Sequence, residues 1–244
     1  MTNPAALSCY VVDLMVDSPS LADNTADAER FKKALSILLG TDRINVPTGL
    51  LRQLPKILRQ ADHRIKTVVF PGQTAWMVAA VLPMDHPRTV AGIAIDIGTK
   101  RVALSLVDLA TGQVLEETGF DNPQSEIGPD VLARIHHAMT ETGRERLRAL
   151  IVDEVNVHIE SLCRDQGLVP EDVFLVAGAG NTAMTHLFLG IDPFEMIKEP
   201  YIPCVNVLDT LCAREAGLKI NATGLVFLFP NIGSYFGGDL LAGI

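Results

Sequence analysis

Residues 96 to 100 read Asp-Ile-Gly-Thr-Lys and put a carboxylate, a glycine, a hydroxyl and an ammonium group within one short stretch. Glycine at 98 lets backbone N–H groups approach a phosphate more closely than any side chain there would allow. Thr99 and Lys100 can donate to phosphate oxygens. Asp96 can hold a magnesium ion through water, because Mg2+ keeps most of its hydration shell. Any hairpin can carry Asp-x-Gly-Thr, so the plain alternative is an acid at the mouth of a turn. A second stretch, Gly178-Ala179-Gly180-Asn181-Thr182, follows the apolar run Val173 to Ala177. A glycine-rich strand-to-helix turn gathers N–H groups and a helix's positive end at one point, a ready place for an anion. Glycines there also permit close helix–strand packing, and spacing leaves both readings open.

The elements that must position these residues follow from pattern. Ile93 to Ile97 is an apolar strand, Gly98 to Lys100 a turn, and Val102 to Asp108 an alternating strand. Thr111-Gly112 is a second turn and Gln113 to Glu117 runs back, completing a meander. Phe120 to Gln124 is a polar loop. A helix opens at Pro129, with Val131, Leu132, Ile135 and Met139 on one face and Arg134 in a surface ion pair. Another runs from Arg144 to Gln166 and closes at Gly167. Val173 to Ala177 is apolar throughout, as expected in the parallel part of a sheet, and Leu225 to Phe229 is a further strand. Tyr201 to Val207 is a loop or edge strand without assigned chemistry.

Residues 1 to 88 form a smaller leading domain. Cys9 to Val16 is a strand. A helix follows with Ala28, Phe31, Leu35 and Leu38 inward, ending at Gly40, its start capped by Asp23, Asn24 and Asp27. A second helix spans Thr48 to Ala61, turned or kinked at Pro55. Ile65 to Phe70 and Thr74 to Leu82 make a hairpin, and Met84 to Arg88 links to the larger domain, 89–244.

Composition sets the class. The chain has 244 residues, 48% of them hydrophobic with few aromatics, and a net charge of −9. This is the profile of an α/β protein with an aliphatic core, and the acidic balance argues against nucleic acid or an anionic membrane as partner. No apolar run approaches the roughly 20 residues of a bilayer span, and no secretory signal is visible; a cytoplasmic location is expected. The four cysteines, at 9, 163, 204 and 212, form no Cys-x-x-Cys pair, and buried reduced thiols are expected rather than zinc or iron–sulfur ligands. His136, His137, His158 and His186 lack metal-ligand spacing and are read as packing or surface residues.

The order of elements resembles an RNase-H-like lobe with a mixed sheet, the building block of actin-like ATPases and sugar kinases. The segment Gly237-Gly238-Asp239-Leu240-Leu241-Ala242-Gly243 resembles a carbohydrate-kinase segment in which the Asp is the base. Asp239 would orient a water or hydroxyl against a γ-phosphate, a role compatible with capping a helix.

The chain as a whole resembles the ATP-dependent reductive activators of corrinoid proteins. The resemblance is carried by Pro19-Ser20-Leu21-x-Asp23-Asn24, by Asp96-Ile97-Gly98-Thr99, and by Asn122-Pro123-Gln124 with Gly128-x-Asp130-Val131-x-x-Arg134-Ile135-His136. It is carried further by the run from Gly180 to Pro193, and Pro230 to Ser234 supports it. It implies ATP-driven reduction of a cobalt(II) corrinoid to cobalt(I) in methyltransferase systems. ATP and Mg2+ are the implied cofactors, with Gly98, Thr99, Lys100, Gly180, Asn181, Thr182 and Gly238 around the nucleotide. Asp96 and Asp239 are the implied catalytic pair, with Asp96 toward the metal. A corrinoid protein is the implied partner, electrons would arrive through a ferredoxin domain carrying a two-iron two-sulfur cluster, and homodimerisation stays open. This sequence lacks that domain and a second Asp-x-Gly-Thr lobe, and is expected to be a fragment of such an activator. A sugar- or acetate-type kinase lobe and a non-catalytic module docking on a corrinoid protein are the competing readings.

Overall fold

The computed structural model describes residues 11–234 and Gly237. The chain divides into two compact units, 1–91 with 108–113, and 92–107 with 114–244.

The smaller unit is a four-stranded sheet backed by helices. Its strands are β1 (Val11–Met15), β2 (Ile44–Asn45), β3 (Arg64–Pro71) and β4 (Trp76–Pro83), in the order β1-β3-β4-β2. β3 pairs antiparallel with β1 and β4, and β2 lies parallel to β4. Helix α1 (Asp27–Leu39) presents Phe31 and Leu35 to the core, and both are fully buried. Leu39 rather than Leu38 completes that face, since Leu38 is exposed. Gly40 ends the helix in the left-handed conformation at φ 68°, its N–H on the Ser36 carbonyl, where a side chain would be strained.

The acids at the start of α1 do not cap it. Its N-cap is Ala26, without a side-chain hydrogen bond. Asp23 instead accepts from Thr25 and pairs at 2.7 Å with the buried Arg30, while Asp27 pairs with Arg59. Pairing satisfies these carboxylates better than an exposed helix end, because Arg30 would otherwise be a buried cation without a counter-charge. The stretch expected as one helix from 48 to 61 is two, α2 (Thr48–Leu51) and α3 (Leu54–Gln60). Pro55 occupies the first turn of α3, the position where its missing N–H costs nothing.

The larger unit holds a six-stranded sheet. Its strands are β5 (Ala91–Ile97), β6 (Arg101–Asp108), β7 (Val114–Asp121), β8 (Val173–Gly180), β9 (Leu211–Cys212) and β10 (Leu225–Leu228), in the order β7-β6-β5-β8-β10-β9. β6 and β7 are antiparallel, β8 and β10 parallel, and β9 adds antiparallel at one edge. At the other edge β7 carries Glu116, Glu117 and Asp121, all exposed. The helices are α4 (Val131–His137), α5 (Glu141–Asp165), α6 (Thr182–Leu189) and α7 (Ala213–Ala216). α5 buries Leu147, Ile151, Val155, Ile159 and Leu162, an i, i+4 stripe facing the sheet. Its His158 stacks on Phe120 of β7, ring centroids 4.4 Å apart.

The two units are thus a mixed α/β architecture with a mixed sheet. Two expectations for α4 are corrected. Leu132 and Met139 point outward and are exposed, and Arg134 is a buried residue of the core rather than a surface ion pair. β8 continues past Ala177 to Gly180, because the glycines let neighbouring backbone come close. A Cβ at Gly180 would stand 2.9 Å from the Ile97 carbonyl oxygen.

Phe31→Ala is expected to lower unfolding stability by about 3–5 kcal/mol, the cost of emptying a fully enclosed aromatic site. Urea unfolding monitored by circular dichroism measures it, and a loss under about 1 kcal/mol would contradict this packing.

Candidate functional site

The site is built where β5 ends. Ile93, Ile95 and Ile97 are buried and fix the strand, while Asp96 is exposed at its last turn of pleat. The chain reverses over residues 98–100. A side chain at Gly98 would collide with the Arg101 carbonyl, so the reversal is as tight as glycine permits. Lys100 is exposed and Thr99 half-buried.

Two asparagines hold this turn. Asn122, fully buried after β7, donates through its side-chain amide to the Gly98 carbonyl at 2.9 Å and through its backbone N–H to the Lys100 carbonyl at 2.9 Å. Its side-chain oxygen accepts from the Gln124 N–H, making a short 3-10 turn over Pro123–Glu126. Asn181, the N-cap of α6, accepts from the Met184 N–H and donates at 3.0 Å to the Thr99 hydroxyl. That last bond brings the two glycine-bearing stretches together.

Behind Asn122 lies Arg134, fully buried. Its Nε donates to the Gly128 carbonyl, and one terminal nitrogen reaches Gln124 Oε1 at 3.4 Å and Met184 Sδ at 3.3 Å. Its other terminal nitrogen has no hydrogen-bond partner among the described residues. Burial pushes the guanidinium below its ordinary value, Asp130 opposing, yet an arginine stays protonated at neutral pH. Gln124 in turn donates to the Leu147 carbonyl of α5.

The far wall is a loop. Thr182 is buried and its hydroxyl donates at 2.7 Å to the Gly233 carbonyl, so that hydroxyl serves as a tether. Asn206 accepts from the Asn231 and Gly233 N–H groups, and Ser234 donates to the Tyr201 carbonyl. Gly237 lies flush on Gly180 and Asn181, where a Cβ would overlap the Asn181 backbone. Gly238 and Asp239 lie outside the described residues. The structure therefore brings Gly98, Thr99, Gly180, Asn181 and Thr182 into one connected group, with Lys100 exposed on the same turn. Sequence reasoning missed Asn122 and Arg134 as its supports; the signal available was a polar Asn-Pro-Gln stretch directly after a strand.

Among the described residues no group of three or more His, Cys, Asp or Glu could hold a metal ion. An exposed carboxylate such as Asp96 still suits Mg2+, which takes one or two protein carboxylates and fills its shell with water and phosphate oxygens. Of the cysteines expected to be buried, Cys163 is, its thiol pushed up to about 11 chiefly by burial, whereas Cys204 and Cys212 are exposed. No described helix is long and apolar enough to cross a membrane.

Comparison with known proteins bears on this unit directly. The sequence profile described as the RACo middle region matches residues 91–244. The chain belongs to that family. The RACo linker region matches residues 4–88. Among curated proteins, one called corrinoid activation enzyme RamQ, from Eubacterium limosum, is 30% identical over 161 residues, 65% of this chain and 27% of its own length. Among solved structures, a reductive activator for corrinoid, iron–sulfur protein superposes with TM-score 0.85 at 34% identity, over 96% of this chain and 37% of that one. The chain thus spans 27% of the curated relative and 37% of the solved structure that it matches.

His186, fully buried on α6, gives a pH handle on this family segment. Its Nδ1 lies 2.7 Å from the Thr182 carbonyl, which fixes the Nδ1–H tautomer, and Nε2 has no partner among the described residues. Burial lowers its pKa, the Thr182 bond opposing. The unfolded chain takes up the proton near pH 6.5 and the folded one only lower, so stability falls as pH drops below about 7 through that window. His186→Gln is expected to flatten the decline between about pH 7.5 and 5.5 in urea unfolding. Equal slopes would refute a neutral buried imidazole.

Proposed function

We propose that the larger unit is an RNase-H-like lobe of an actin-like ATPase, and that it binds the phosphates of ATP in service of corrinoid activation. The Thr99–Asn181 hydrogen bond carries this reading, because it joins two stretches that each suit an anion. The sheet order, a meander continued by two parallel strands across the first, supports the lobe assignment. Membership of the family and the names of its relatives support the corrinoid role.

In this reading bound ATP supplies the free energy that makes cobalt(II) of a partner's corrinoid reducible to cobalt(I) by one electron from a ferredoxin-type domain. The Gly98–Lys100 backbone N–H groups and the Lys100 ammonium bind phosphate oxygens. The Asp96 carboxylate accepts hydrogen bonds from water on Mg2+. The N-terminus of α6, capped by Asn181, adds its positive end. Asp239 orients the attacking water and takes its proton. Thr182 contributes through its backbone, its hydroxyl being committed to Gly233.

The protein is expected to bind Mg-ATP by calorimetry, with Asp96→Asn and Lys100→Ala each weakening it about tenfold or more, the scale of one charge-assisted contact. A cobalt(II) corrinoid protein is expected to accelerate its ATP hydrolysis. Absence of nucleotide binding, or binding untouched in both variants, would defeat the reading; phosphorylation of a sugar or acetate would replace it with the kinase.

A further inference from the structure

We infer that Asn122 is a positioning residue whose two hydrogen bonds aim the Gly98–Lys100 turn at phosphate; the inference rests on the nucleotide reading above. A trans peptide points its C=O and its N–H to opposite sides of the chain. The Gly98 carbonyl is held by the Asn122 side-chain amide, so the Thr99 N–H in the same peptide points away from Asn122. The Lys100 carbonyl is held by the Asn122 backbone N–H as the end of the β6–β7 ladder, so the Arg101 N–H of that peptide points toward β5, and the Thr99 N–H is the donor turned outward. One buried side chain and its own backbone thus pull two carbonyls to the same side. Carbonyl oxygens repel phosphate and N–H groups attract it, so drawing the carbonyls back leaves the opposite face of the turn richer in donors.

Asn122 is itself fixed from behind. Its oxygen is occupied by the Gln124 N–H, which leaves only the amide nitrogen to face Gly98 and settles which way round the amide lies. Gln124 is held between Arg134 and the Leu147 carbonyl. Met184 Sδ lies 3.3 Å from Arg134 and 3.9 Å from Asn122 Nδ2, tying the same support to the first turn of α6. Arg134 has no carboxylate in hydrogen-bonding contact among the described residues, so its charge adds positive potential beneath the turn.

Asn122→Asp tests this with almost no change of shape. The variant keeps an oxygen for the Gln124 N–H but sets a second oxygen against the Gly98 carbonyl, where a donor stood. Mg-ATP and adenosine are titrated into the native protein and the variant by calorimetry, thermal unfolding is followed in parallel, and the Gly98–Arg101 amide resonances of the free proteins are compared by 15N–1H NMR. The expected result is Mg-ATP binding weakened about tenfold to hundredfold, the range for an unmade buried hydrogen bond. Adenosine binding stays unchanged and the Thr99 amide resonance moves in the free protein. A purely structural asparagine would weaken Mg-ATP and adenosine together, in step with the melting temperature. That outcome, or unchanged Mg-ATP affinity with an unmoved Thr99 resonance, overturns the inference. If the native protein binds no Mg-ATP, the nucleotide reading fails by itself, and the Thr99 resonance in Asn122→Asp alone decides whether Asn122 orients the turn.

Discussion

A buried polar group must find a partner, and in the larger unit that requirement is met by carbonyls that the chain reversal after β5 would otherwise leave unpaired. Asn122 takes the carbonyls of Gly98 and Lys100, and Asn181 takes the Thr99 hydroxyl. Each asparagine does so while capping something else, a 3-10 turn in one case and α6 in the other. The ends of two elements and the turn between two strands therefore share one hydrogen-bond network, and none of the three can be displaced without leaving orphaned groups in the others.

The glycines follow the same logic at closer range. Gly98 clears the Arg101 carbonyl, Gly180 clears the Ile97 carbonyl, and Gly237 clears the Asn181 backbone. In each case the neighbour is main chain, which cannot swing aside as a side chain can. The sequence-level choice between an anion-binding role and a packing role for Gly180 is thus partly answered by geometry: packing is required there.

Long periodic segments were legible in the sequence. The i, i+4 apolar stripe of α5 and the apolar run of β8 announce themselves because many residues repeat one signal. The break before Pro55 was legible in kind, as proline chemistry, though it divides the stretch into two helices. Position 134 was not legible. An arginine on an amphipathic helix is ordinarily a surface residue, and only the arrival of Gly128, Gln124 and Met184 from three other segments makes its burial tolerable. β9 escaped for a different reason: two residues are too short for any period to show. The turn at 98–100 was readable as a motif, but the residues hydrogen-bonded to it lie more than twenty positions away and belong to tertiary structure.

The outermost strand has a consequence of its own. β7 ends the six-stranded sheet with Glu116, Glu117 and Asp121 turned to solvent. Were the same strand of another molecule to line up alongside it, carboxylates would meet across the seam, and like charges at that spacing repel. Ladder growth from molecule to molecule is discouraged at its first rung, a safeguard that exposed sheet margins commonly carry against fibrous assembly.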